Sequence, residues 1–283
     1  MDLPYRGAIA LPVASREGRE RFDAEWAGRY ATRLRASCDN QTNTGIRLRN
    51  NMHPIKKAAR IAGAIYLTMV FTAPFSLLYV PGKLIVRGNA TATADNILAH
   101  ETMFRLSIFG DLIGQVIFIC LAIALYRLLS NVNKTWAALM VALVLVSAAV
   151  GFLNTLNNIA ALILFQGNEL LTVFDKPQRD ALAMLFLRLH THGIFIDELF
   201  WGLWLYPFGL LVFRSGFLPR WIGVWLMINC FGYVILSVIA LFAPDYYGAA
   251  FKYSQPVLFG ELATMLYLLI RGANVKALPS KVG

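Results

Sequence analysis

Apolar residues run almost unbroken through six stretches of the chain, at about 61–80, 106–126, 136–165, 193–213, 221–243 and 257–270. Polar positions crowd into the segments between them. A run of about 20 apolar residues is enough for a helix to cross a bilayer core. Lipid offers no partner to a free backbone amide or carbonyl, so each crossing must be helical. The sixth run is short by itself, but 253–271 as a whole reaches across. The pattern predicts an all-α polytopic membrane bundle of six transmembrane helices. Segments 81–103 and 166–188 are long enough to hold amphipathic pieces lying on the outer surface. Asp175-Lys-Pro-Gln-Arg-Asp180 reads as a helix start, with Asp175 as cap and Pro177 in the first turn, and that helix is expected to continue into the fourth run. The first three runs and the last three share no pattern, so no internal repeat is read.

Composition sharpens the class. The chain is 58% hydrophobic and 15% charged, with a mean hydropathy of +0.57, which excludes an ordinary soluble domain. A net charge of +10 raises nucleic acid as a partner, but the distribution argues for a lipid bilayer instead. Lys56, Lys57 and Arg60 precede the first run, Arg127 and Lys134 bracket the second loop, and Arg214 and Arg220 bracket the fourth. Arg271, Lys276 and Lys281 follow the last run. No acid accompanies these ten. The other loops hold Lys83, Arg87, Lys176, Arg179 and Lys252 beside Asp95, Glu101, Glu169, Asp175, Asp180 and Asp245. Basic residues favour the cytoplasmic side, so an even number of spans with both termini cytoplasmic is expected. Cys38, Cys120 and Cys230 are far apart and match no metal spacing, and they read as free small core residues.

Residues 1–51 have no span-length apolar run and carry nine arginines without a lysine, whereas eight lysines and nine arginines follow from Met52. This stretch reads as an extension, disordered or mis-called upstream of a natural start at Met52, and 52–283 as the six-helix transmembrane domain. The recurrence of Phe22, Trp26 and Tyr30 allows a basic amphipathic surface helix within it. No secretory signal peptide is read: the first apolar segment is long and no small-residue cleavage site follows it.

The candidate chemistry lies in polar residues inside the runs, which are costly there and mark functional sites by default. Ser107, Asp111 and Gln115 share one helical face, with Arg105 above them as a partner for Asp111 through its long stem. Asn154, Asn157 and Asn158 fall within roughly one hundred degrees of each other and can line a polar cavity, coordinate a cation, or bond between helices. His190, Asp197, Trp201 and Trp204 share a face of the fourth run, with Glu198 turned away and expected beside lipid or reaching outward. The histidines are expected near the outer headgroups, and the tryptophans deeper, as packing or pocket lining. His190 and His192 point to nearly opposite sides, so a zinc site would need His190 with Asp197 and a ligand such as Asp111 or Glu261. Glu261 calls for a donor from a neighbouring helix or a proton of its own. Topology places these acids and asparagines in the outer half of the bilayer, at one depth, which predicts a cavity open to the outside.

Several segments carry a family resemblance: Arg60-Ile-Ala-Gly-Ala-Ile-Tyr-Leu, Arg105 with Asp111-Leu-Ile, and Leu125-Tyr126. The most specific are Leu199-Phe-Trp-Gly-Leu-Trp-Leu-Tyr-Pro-Phe-Gly209 and Arg214-Ser-Gly-Phe-Leu-Pro219. Across about 53–271 the chain resembles the bacterial membrane family known as domain of unknown function 4386, whose members begin close to Met52. The resemblance implies a multipass protein of the bacterial cell (inner) membrane and assigns no reaction, ligand or catalytic residue. Two readings follow. One is a small transporter or sensor-like protein with an unidentified small-molecule or ion ligand, and no cofactor. The other is an intramembrane, metal-dependent hydrolase using His190 with nearby acids.

Overall fold

Prolines, glycines and capping side chains set where the apolar runs begin, bend and stop. The computed structural model describes residues 53–167 and 171–274, and every regular element among them is helical. The extension expected at 1–51, with Cys38, lies outside these residues. Helix α1 (His53–Pro74) carries a proline in its last turn. It passes through a π-helical turn (Phe75–Tyr79) into the short α2 (Val80–Leu84). The segment expected to lie on the outer surface contains α3 (Ala90–Ala99), whose first amides are met by Asn89: its side chain accepts from the Ala92 amide at 2.9 Å. Then come α4 (Glu101–Leu129) and α5 (Lys134–Gln166), the latter capped by Asn133.

Helix α6 (Lys176–Leu203) starts at the expected place. Asp175 and Gln178 exchange a reciprocal capping box, with Pro177 in the first turn. It runs without a break into the fourth apolar run and then changes course at Trp204. Pro207 has no N–H for the Leu203 carbonyl, and α7 (Leu205–Arg214) begins there. The following turn depends on Gly216, whose φ of +71 costs a side-chain-bearing residue strain. Ser215 ties the same turn: its Oγ accepts from the Leu218 amide at 3.1 Å and donates to the Val212 carbonyl at 2.8 Å. Helix α8 (Arg220–Phe242) returns against α7. Gly209 and Gly223 meet backbone to backbone, and a Cβ on either would sit 2.6 Å from the other's carbonyl oxygen. The Gly and Ser-Gly positions of the two recognisable motifs are thus a helix seam and a tight turn. Small residues at such seams let helices approach closely where lipid supplies no hydrophobic drive.

Among the described residues five segments are long and apolar enough to cross a membrane: Pro54–Leu84, Glu101–Leu129, Lys134–Gln166, Lys176–Arg214 and Arg220–Phe242. The sixth apolar run belongs to a longer helix than expected, α9 (Pro244–Ile270), which has 27 residues and spans about 40 Å. It carries Asp245, Lys252 and Glu261 and is not among the five.

Packing forms two apolar cores. The larger gathers Leu121, Leu125, Met140, Trp204, Phe208 and Leu226 near the Ser215 turn. The smaller gathers Leu84, Ile97, Phe104, Leu162, Phe165 and Leu187 near the opposite ends of α4, α5 and α6. Large side chains such as Phe71, Leu153, Phe231 and Leu241 point outward, as a lipid-facing surface requires. Cys230 is buried but Cys120 is exposed, so only one of the two described cysteines fills the core. The face of α4 that carries Cys120 needs no packing partner in lipid.

Candidate functional site

Between the two cores lies a layer of polar side chains from α1 and its π-turn, α4, α5 and α6. The π-turn adds a residue to one helical turn, and such bulges recur at functional sites. Here it places Ser76, which is buried, against Asp111 of α4. On the other side of Asp111, the His190 Nε2 of α6 stands 3.8 Å from Oδ2, with both side chains nearly nine-tenths buried. His190 is therefore turned into the bundle, because α6 extends well beyond the apolar run. His192, two residues on, is exposed and meets Phe195 edge-on.

Asn154 of α5 donates to the His190 carbonyl at 2.9 Å, and its own Oδ1 accepts from Asn157 at 3.1 Å. Asn158 is buried on the same helix. Gln115 fills the space left by Gly151, where a Cβ would collide with its amide. Asp111, Gln115, the asparagines and His190 are thus neighbours in one layer. Arg105 is not among them. It pairs with Glu101 at 2.6 Å on the exposed edge, and Gln166 joins the same carboxylate at 2.9 Å. An acid one turn earlier on the same helix outcompetes Asp111, because an exposed pair leaves both charges in water.

The other acids occupy separate settings. Asp197 is buried and faces the bundle, accepting from Ser147 of α5 at 2.5 Å and from the Trp201 indole. Glu198, expected beside lipid, is buried too: Tyr247 of α9 donates to its Oε1 at 2.5 Å. The helix does turn Glu198 away from Asp197, but α8 and α9 cover that second face. Glu261 accepts from Tyr66 of α1 and from Tyr233 and Asn229 of α8. It stands nine residues before the Ile270 end of α9 and seventeen past Pro244. It therefore stands in the second half of α9 and not in the first half expected, so the polar groups are spread along the helices. They descend from Asp111 and His190, through Asp197 and Glu198, to Glu261.

The zinc set of His190, Asp197 and a third acid is not assembled: Asp111 meets His190, Asp197 meets Ser147, and Glu261 meets tyrosines. Among the described residues no three His, Cys, Asp or Glu side chains come together. The hydroxyl donors Ser76, Ser147, Tyr66, Tyr233 and Tyr247 are the residues that sequence reasoning passed over. A hydroxyl within an apolar run is the only signal of the first four, and Tyr247 lies between the fifth and sixth runs.

These features define an all-helical protein whose helices suit a membrane, with acids buried among hydroxyl donors. Residues 61–272 match the family described as Domain of unknown function (DUF4386), and the chain belongs to it. It is also similar to a protein of Archaeoglobus fulgidus described as "Uncharacterized protein", with 26% identity over 174 residues, 62% of this chain and 88% of that one. No solved structure matches it.

Proposed function

We propose that this is a six-span protein of the cell membrane, with both termini cytoplasmic, that transports or senses a small ligand or ion through the polar layer. The observation that carries the reading is the Ser76–Asp111–His190–Asn154 group, drawn from four segments and set between two apolar cores. A bundle held only by packing has no use for an acid and an imidazole there, since charged groups inside a membrane are costly unless paired or reached by water. Asp111, Gln115, Asn154, Asn157 and His190 are each only partly covered, which supports access from the side of the α5–α6 loop. The basic loop segments support the orientation, and α9, at about 40 Å, is long enough for the sixth crossing.

Topology is tested by single cysteines on a cysteine-free background. Asn131→Cys should label only from the cytoplasm, and Val173→Cys, whose parent residue is 84% exposed, only from outside. Function is tested in liposomes carrying the purified chain under an imposed pH gradient, with a panel of small solutes. Uptake by the natural chain that is lost in Asp111→Asn supports the transporter. Uptake unchanged by Asp111→Asn removes the polar layer from the mechanism.

A further inference from the structure

Far from the polar layer, the ends of α1 and α9 meet beside the Ser215 turn. Gly63 of α1 lies against the backbone of α9, where an added Cβ would sit 2.5 Å from the Leu269 nitrogen. Lys56 and Arg60 precede Gly63 on the same helical face, so this contact carries both over the end of α9. Arg60 donates to the Ile270 carbonyl at 3.2 Å. The chain then turns at Gly272, whose φ is +67 and whose N–H returns to the Tyr267 carbonyl at 3.0 Å. A Cβ at Gly272 would stand 3.0 Å from the Lys56 Cγ and 3.5 Å from the Arg60 Cγ. Arg271 is the residue before it. Beyond the turn, the Asn274 amide donates to the Phe217 carbonyl at 2.8 Å, which ties on the loop bracketed by Arg214 and Arg220. Among the described residues no carboxylate is within ion-pair distance of these five cations.

We infer that Lys56, Arg60 and Arg271, where α1 packs on the end of α9, hold the phosphate of an anionic phospholipid. The inference rests on the reading of the chain as a membrane protein and uses no residue of the polar layer. The physical argument starts from charge. Cations gathered by the backbone with no acid among them repel one another, and an anion from outside removes that cost. Their present partners are neutral: Arg60 has the Ile270 carbonyl, and Arg220 lies over the Phe213 ring at 5.7 Å. A guanidinium has five N–H donors, so Arg60 keeps most of its own. Its planar fork matches two phosphate oxygens, while Lys56 adds a point charge. The bond to Ile270 also offsets the negative end of the α9 dipole, which would otherwise oppose a phosphate there. Apolar side chains favour a lipid over free phosphate. Ile61, Leu266, Ile270 and Trp221 are exposed beside these bases, a surface that acyl chains cover and that inorganic phosphate has no use for. Arg60 and Arg271 are themselves exposed and Lys56 partly so, which leaves the headgroup room to approach.

The test is native mass spectrometry of the purified full chain in detergent, titrated with dioleoyl phosphatidylglycerol or with the matched phosphatidylcholine. It needs neither an orientation nor transport, so it fails or succeeds independently of the labelling and uptake assays. Phosphatidylglycerol should bind at lower concentration than phosphatidylcholine. Lys56→Gln, Arg60→Gln and Arg271→Gln together should weaken phosphatidylglycerol about a hundredfold, from the attraction of each basic residue for acidic lipid, and leave phosphatidylcholine unchanged. Arg127→Gln with Lys134→Gln removes two bases from the α4–α5 loop and should leave both lipids close to their natural values. Where the triple variant does not fold, Lys56→Gln with Arg271→Gln spares the Arg60 bond to α9 and should weaken phosphatidylglycerol about thirtyfold. Equal binding of the two lipids overturns the site. So does an equal loss from the loop variant, which would make the attraction one of diffuse surface charge. Displacement of the lipid by equimolar inorganic phosphate would make the occupant a free anion, and overturns it too.

Discussion

The half of the bundle near the Ser215 turn and the half near the α5–α6 loop bury their acids by different means. Near the turn, Glu261 is enclosed by Tyr66, Tyr233 and Asn229, beside a core in which helix backbones touch at Gly209 and Gly223. Near the loop, Asp111 has one hydroxyl, one imidazole at 3.8 Å and a side chain 11% exposed. A cage of neutral donors fixes an acid in one place and depends on every donor staying put. An imidazole at long range, with some surface open, leaves the acid able to accept a ligand or water instead. The first arrangement suits a rigid element and the second suits a site that changes its contacts.

The largest expected effect lies in the rigid half. Gly209→Leu would drive a side chain into the Gly223 carbonyl, where even a Cβ is held to 2.6 Å. Overpacking costs typically 1–3 kcal/mol and occasionally more, and a backbone obstacle cannot yield as a side chain does. About 3 kcal/mol is expected, read as loss of the folded fraction during denaturation in detergent. A variant as stable as the natural chain would show that α7 and α8 do not touch there.

A smaller effect separates the two acids. Tyr66→Phe removes one donor from the caged Glu261 and should cost about 1–3 kcal/mol, the range for leaving a buried polar group unsatisfied. Ser76→Ala should cost less, about 0.5–1.5 kcal/mol, because Asp111 keeps His190 and some exposure. Thermal unfolding of both variants in one detergent decides the order. Equal losses would erase the distinction between the halves. Adding Glu261→Gln to Tyr66→Phe should recover part of the loss, since residues in contact couple by roughly 0.5–3 kcal/mol in double-mutant cycles.

Periodicity and turn chemistry in the sequence carried the helices, the Asp175 cap, and the inward face of Asp197. They did not carry the cages. Tyr66 and Glu261 are 195 residues apart in the chain, and a tyrosine in an apolar run looks the same whether it faces headgroups or a carboxyl. The position of Glu261 along its helix differs from the expected one for a local reason. Asp245, Lys252 and Pro256 make the first half of α9 resemble a loop, so the apolar pattern starts the run at about residue 257 and puts the acid near its beginning. The burial of Glu198 is not legible because one helix wheel shows only which residues diverge, not whether another helix covers the second face.

The smallest effect expected is at Arg105, and its size matters because it separates the sequence reading from the structure. Read from the chain alone, Arg105 is the natural counter-ion of Asp111, six residues on, and its loss should leave a buried acid unpaired. In the structure the guanidinium reaches back to Glu101, one turn away, with 56% of its side chain exposed. Exposed pairs contribute little because water and salt screen them. The carboxylate of Glu101 also keeps Gln166. Arg105→Ala should therefore leave unfolding in detergent unchanged within error, at low and high salt alike, and should leave uptake as it is in the natural chain. His190→Ala, by contrast, should impair uptake. Its imidazole lies 3.8 Å from Asp111, inside the polar layer. If Arg105→Ala abolished uptake and His190→Ala did not, the outer edge of α4 would be the working site and the polar layer a structural one.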